Sequence, residues 1–278
     1  MKNLKLSAVA VALIFAFGAL FMSFEDITSA ANTTTVVVEA DIARQAENTA
    51  PTKNWVLFSR NAGNAAFRMG PGTAPSGIGS IEFSTPTGDD KITLFNFDHV
   101  GTALSTIDTI GYSTYRTAGN LQQVAALNLQ VDVNGDASGG FTTLVFEPVY
   151  NAGQGLVINN QWQTWDAFNN GEATWWSSNP IPSAPNRDTF VSWATIVAAN
   201  PDAVIVGGVG INQGSGNPGL VTAVDAFLFG YGDDLYKYDF EPYNKNSCKN
   251  GGWTVLQRAD GTSFTNQGQC VAYTNTNR

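Results

Sequence analysis

Histidine is almost missing from this chain. His99 is the one histidine in 278 residues, so a zinc cluster or a Ser-His-Asp triad has almost nothing to draw on. Charge is scarce too, at 13% of residues. Fourteen lysines and arginines face twenty-three acids, for a formal charge of −9. So few bases, spread thinly, make no cationic groove, which argues against nucleic acid and anionic lipid as partners. Cysteine is confined to Cys248 and Cys270 near the end. After the opening thirty residues no second long apolar run occurs, and no internal repeat or low-complexity segment is visible.

The opening itself is apolar. Lys2 and Lys5 precede LSAVAVALIFAFGALFMSF, and small residues follow at Thr28, Ser29, Ala30 and Ala31. Basic start, apolar stretch and small-residue exit describe a secretory signal peptide over 1–31. The run also reaches the length of a membrane span, so an uncleaved anchor stays open. Either way the remainder, about 247 residues, is expected outside the cytosol, with no membrane contact after cleavage and enough length for one large core. In an exported protein the cysteine pair is read as a disulfide worth about 3 kcal/mol by loop closure, two unpaired thiols being the alternative.

Residues 32–53 read as a linker or a first strand. From 54 to 235 short apolar-polar alternations recur between Gly, Pro, Asn and Asp clusters, with LNLQVDV at 127–133 the clearest. There Leu127, Leu129, Val131 and Val133 face one way and Asn128, Gln130 and Asp132 the other. Roughly nine such strands without alternating helices predict an all-β fold, a two-sheet antiparallel β-sandwich of jelly-roll kind. One short helix is expected over TFVSWATIVAAN, capped by Asp188, with Phe190, Trp193, Ile196 and Val197 on one face. A tail, 236–278, closes through the disulfide.

What is abundant is aromatic and amide. QWQTWDAFNNGEATWW, 161–176, holds four of seven tryptophans among Gln, Asn, Asp166 and Glu172. Sugar rings stack their C–H faces on flat side chains and direct hydroxyls at amides and carboxylates. Tyr150, Trp162 and Trp165 are therefore candidate stackers, with Asp166 and Glu172 as hydroxyl acceptors. On a strand only one of Trp175 and Trp176 can face outward; Trp175 is counted with the site. The ligand expected is a neutral or weakly charged glycan, a polysaccharide or one on a cell surface, held without catalysis. Two other readings stay open. One is a glycan-cleaving enzyme using Glu147 with Glu172 or Asp166, or, more remotely, a lyase using Tyr112, Tyr115 and Arg116. The other is an envelope or adhesion component whose aromatics are core.

Two motifs fall short. Asp132, Asn134 and Asp136 open like a calcium loop, but Ala137 stands where the sharp turn needs glycine and Thr143 where a bidentate glutamate belongs. A plain turn explains Asn-Gly-Asp as well, leaving room only for a loosely held structural calcium and no other cofactor. GGVGINQGSGNPG at 207–219 lacks the lysine and following helix of a phosphate loop.

LSTIDTIGYSTYR, ALNLQVDV, TTLVFEP and AVDAFLFG in succession resemble the strands of concanavalin-like or jelly-roll domains of secreted bacterial proteins, many of which carry carbohydrate-binding modules. The ending from CKNGGW to NQGQCV is similar to a short tail on exported bacterial proteins, which implies a disulfide-closed hairpin or turn. Several calcium-dependent carbohydrate-binding modules place an aspartate of the last strand on a structural ion; by that resemblance Asp225 is the matching position and Glu82 its complement.

Overall fold

The computed structural model describes residues 32–135 and 139–276. The leader read over 1–31 and the Asp136 of the calcium-like motif lie outside the described residues. Fifteen strands and two α-helices occur among them, in the order β1 (Asn32–Val37), β2 (Ile42–Ala46), β3 (Trp55–Arg60), β4 (Asn64–Met69), β5 (Gly79–Thr85), β6 (Lys91–Asn96), β7 (Ile107–Ala118), β8 (Ala126–Asp132), β9 (Phe141–Phe146), β10 (Trp162–Asp166), β11 (Thr174–Ser177), β12 (Val191–Ser192), α1 (Trp193–Ala199), β13 (Val204–Gln213), β14 (Leu220–Tyr231), β15 (Asp234–Phe240) and α2 (Gln267–Thr276). They form the expected two-sheet β-sandwich.

The larger sheet runs β12-β11-β9-β8-β13-β6-β3-β2. The smaller is built on β14, which carries β7 and then β10 along one edge. Its other edge is divided: Leu220–Val224 pair with β5, and Phe227–Tyr231 pair with β15. The change of partner falls at a bulge, where Ala226 takes a φ of +51 and the register to β7 shifts between Asp225 and Leu228. Asp225 fills the gap that opens there, its carboxylate accepting Ser76 N–H at 2.8 Å and Phe240 N–H at 3.1 Å.

Alternation brings the apolar rows together. Leu57, Leu94, Leu127, Leu129, Phe146 and Trp175 of one sheet meet Ile81, Phe83, Tyr112, Trp165 and Phe229 of the other in one core, and Tyr112 lies edge-on to Phe146. Each large side chain fully buried there stabilises the fold by about 1.5–3 kcal/mol.

Three expectations change. The sheets are mixed, because β1 joins β15 and β2 joins β3 in parallel; a period of two tells which face a residue takes and leaves the neighbour's direction open. Helix α1 is capped by Ser192, whose Oγ accepts Thr195 N–H at 3.2 Å, while Asp188 and Phe190 lie outside it. The tail closes through Cys248–Cys270 around an antiparallel turn in which Gln257 bridges Ser263, but it adds a second helix, α2, to the one expected. Its small cluster of Tyr243, Phe264 and the disulfide packs on Ile78 beside the smaller sheet.

Candidate functional site

The aromatic stretch divides between core and surface. Trp165 and Trp175 are both 0% exposed, which corrects their placement among the ligand contacts. Trp165 donates its indole N–H to Thr114 Oγ1 at 2.8 Å, and Trp175 donates to Ala167 O at 2.9 Å. Trp162 and Trp165 sit three apart on the strand β10 and so take opposite faces. Half-buried, Trp162 lies edge-on to Tyr115 and donates to Pro71 O at 2.7 Å. The surrounding polar side chains are largely occupied with their own loops. Gln163 bonds Ile158 N–H and Leu156 O, and Asp166 Oδ1 accepts from Phe168 and Asn169 N–H. Glu172 is exposed beyond this loop.

Opposite parity sends Trp176 outward, onto the larger sheet's solvent face. Register aligns it across five strands with Val145, Asn128, Gly210 and Phe95. Gly210 takes the fourth place in that row, where a methyl group would strike the Leu94 carbonyl. A cavity of about 300 Å³ lies over the Trp176, Val145 and Asn128 end of that row, lined also by Thr143, Glu147 and Arg187 among others. It adjoins a basin of about 400 Å³ that shares Glu147, Trp176 and Arg187 and adds Tyr150, Asp188 and Phe190.

The groove's polar groups are tuned by this setting. Trp176 donates its indole N–H to Glu147 Oε2 at 3.0 Å, while the Arg187 guanidinium lies 5.1 Å from the indole centre. Burial raises the Glu147 carboxyl above its ordinary range, against the opposing pull of that N–H and of Arg187. Asn128 is 7% exposed and its Oδ1 has no partner, and the same holds for Gln213 Oε1 at the groove's far end. A buried amide oxygen without a donor is costly. At the mouth, Tyr150 and Phe190 are 47% and 40% exposed and face each other with ring centres 4.2 Å apart.

The structure thus gathers Tyr150, from the expected set, with Trp176, Glu147, Asn128, Arg187 and Phe190. It leaves Trp162, Asp166 and Glu172 outside this groove. Glu147 therefore has neither Asp166 nor Glu172 as a companion carboxylate. Asn128 was legible as the polar face of its strand. Phe190 was read as part of the apolar face of the expected helix, which begins only at Trp193; Arg187 sits in an irregular segment, and no sequence signal marked it.

The metal expectation fares as follows. Asp132 Oδ1 accepts Asn134 N–H at 2.8 Å, an Asx turn leading into the β8–β9 connection. Asp225 is held by backbone N–H groups, and Glu82 pairs with Arg68 at 2.8 Å. Among the described residues no group of three or more His, Cys, Asp or Glu side chains is arranged to hold a metal ion. No family model, curated protein or solved structure matches the chain.

Proposed function

We propose that this protein is a noncatalytic, extracellular glycan-binding protein whose site is the groove on the outer face of the larger sheet. Sugars would lie on Tyr150 and Phe190 at the mouth. Their hydroxyls would be met by Asn128, Thr143 and Glu147 inside it. The single observation that carries the reading is the unpartnered Asn128 Oδ1 on the floor of a groove bordered by exposed rings, because a ligand hydroxyl supplies the donor that this buried oxygen lacks. The disulfide fits an oxidising compartment.

Affinity electrophoresis through gels containing a panel of polysaccharides tests it. The unaltered chain is retarded by at least one of them, and Tyr150→Ala, Phe190→Ala and Asn128→Ala each weaken the retardation with melting nearly unchanged. Stacking by a ring is worth about 1–3 kcal/mol in nucleic-acid proteins, so each aromatic loss is expected to cost roughly 5- to 100-fold. Equal retardation of all three variants and the parent would reject the site.

A further inference from the structure

The groove's charge runs against that of the chain. Acids outnumber bases 23 to 14 overall. The larger cavity nevertheless has Arg60, Lys91 and Arg187 in its lining and one carboxyl, Glu147. Two of the cations are already paired, since Arg60 and Lys91 share the one carboxylate of Glu47 at 3.3 and 2.7 Å. Arg187 is different. Among the described residues it makes no ion pair, and its guanidinium is held by the Trp176 ring at the junction of the two cavities. Two carboxyls lie nearby: Glu147, engaged by the Trp176 N–H, and Asp188 in the adjoining basin.

An arginine fixed by an aromatic face keeps its planar fork of N–H donors in place and matches a carboxylate better than it matches a hydroxyl. Trp176 then acts as the support for a cation, its ring face covered by Arg187, and the stacking surface is left to Tyr150 and Phe190. Building on the glycan reading of this groove, we propose that its ligand is an acidic glycan, with Arg187 receiving the carboxylate of a uronate residue while a neighbouring ring rests on Tyr150 and Phe190. This departs from the neutral ligand expected from the overall composition, because the composition averages over the surface and the groove does not share that average.

The test compares oligogalacturonate with its methyl ester, which has the same rings and lacks the charge, by calorimetric titration of the unaltered chain and of Arg187→Gln. The acid form is expected to bind about ten-fold or more tightly than the ester, as a charge-assisted pair implies. That preference is expected to weaken with added salt and to vanish in Arg187→Gln, with melting unchanged. Equal affinity for acid and ester, or a preference that survives in Arg187→Gln, overturns the uronate assignment and leaves the glycan reading standing. Absence of binding to both, together with no retardation by any neutral polysaccharide, overturns both readings. The acid–ester comparison needs no variant, so it decides the matter even if Arg187→Gln folds poorly.

Discussion

Replacing Trp175 and Trp176 one at a time separates core from surface along a single strand. Trp175 is fully buried, with ring centres 5.4 Å from Trp193 and 5.6 Å from Phe146, and its indole N–H serves the Ala167 carbonyl. Trp175→Ala leaves a cavity among rings fixed by two sheets and a helix, which costs about 3–5 kcal/mol for a buried tryptophan. The abandoned carbonyl adds about 1 kcal/mol. For a domain of this size each kcal/mol lowers the melting temperature by about 2–4 °C, so a fall of roughly 8–24 °C is expected. Trp176→Ala removes a partly exposed ring, one hydrogen bond to Glu147 and the support of Arg187. A surface change of that kind costs about 1 kcal/mol, or a few degrees. Urea and thermal unfolding followed by far-ultraviolet circular dichroism measure both. Equal losses, or a larger loss for Trp176→Ala, would show that the parity of β11 has been assigned the wrong way round.

Other consequences concern buried ionisable groups and the tail. Asp225, Asp239 and Glu241 lie together, all under 5% exposed, where Glu241 Oε1 accepts Ile78 N–H at 2.5 Å. Burial and the Asp239 charge push Glu241 from 4.5 up to about 9, and the same causes take Asp225 from 3.8 to about 8. The folded state then holds more protons than the unfolded one, so stability falls as pH rises from about 4 to about 9, by an amount on the order of a few kcal/mol. Glu241→Gln keeps the acceptor oxygen and is expected to flatten that decline in urea midpoints taken across the range; an unchanged slope would contradict the assignment. His99 acts at the other end. It is 1% exposed among Phe229, Tyr231 and Tyr236, with Nε2 2.9 Å from the Tyr238 hydroxyl, and burial lowers it from 6.5 to about 4 despite the pull of Asp98. Folding disfavours its protonation, so up to about 3 kcal/mol is lost as pH falls from 6.5 to 4, and His99→Phe is expected to remove that loss. Replacing Cys248 and Cys270 by serine is expected to cost about 3 kcal/mol of tail stability, read as faster hydrogen exchange over α2 with the sandwich unaffected.

The fold was legible where the pattern was local. Strand β8 showed its two faces residue by residue, and the cysteine pair announced the bridge. Direction of pairing was not legible, because the parallel partners of β1 and β2 lie far along the chain or across a loop and leave no mark on the alternation of either strand. Asp188 was read as the cap and Ser192 takes that place; the choice was made by where the chain leaves β12, a tertiary matter. The site was half legible. Four tryptophans in sixteen residues suggested a surface, yet indoles are as good at filling a core, and Trp165 and Trp175 do so. Gln163, one of the amides that made the stretch look like a recognition face, bonds the backbone of the preceding loop. What makes the groove is the row Trp176, Val145 and Asn128 across three strands, with Asn212 of a fourth strand and Arg187 beside it. No window of sequence contains that row.

The most direct measurement is the indole N–H region of a nitrogen-15 spectrum recorded while oligogalacturonate, and in parallel an oligosaccharide of glucose, is added. The Trp176 signal, assigned by its loss in Trp176→Phe, is expected to shift with saturation during at least one titration, because its N–H bonds Glu147 inside the groove. The signals of Trp165 and Trp175 should stay fixed. Movement of the Trp162 signal alone, or saturable binding that leaves Trp176 unmoved, would place the sugar elsewhere and contradict the account.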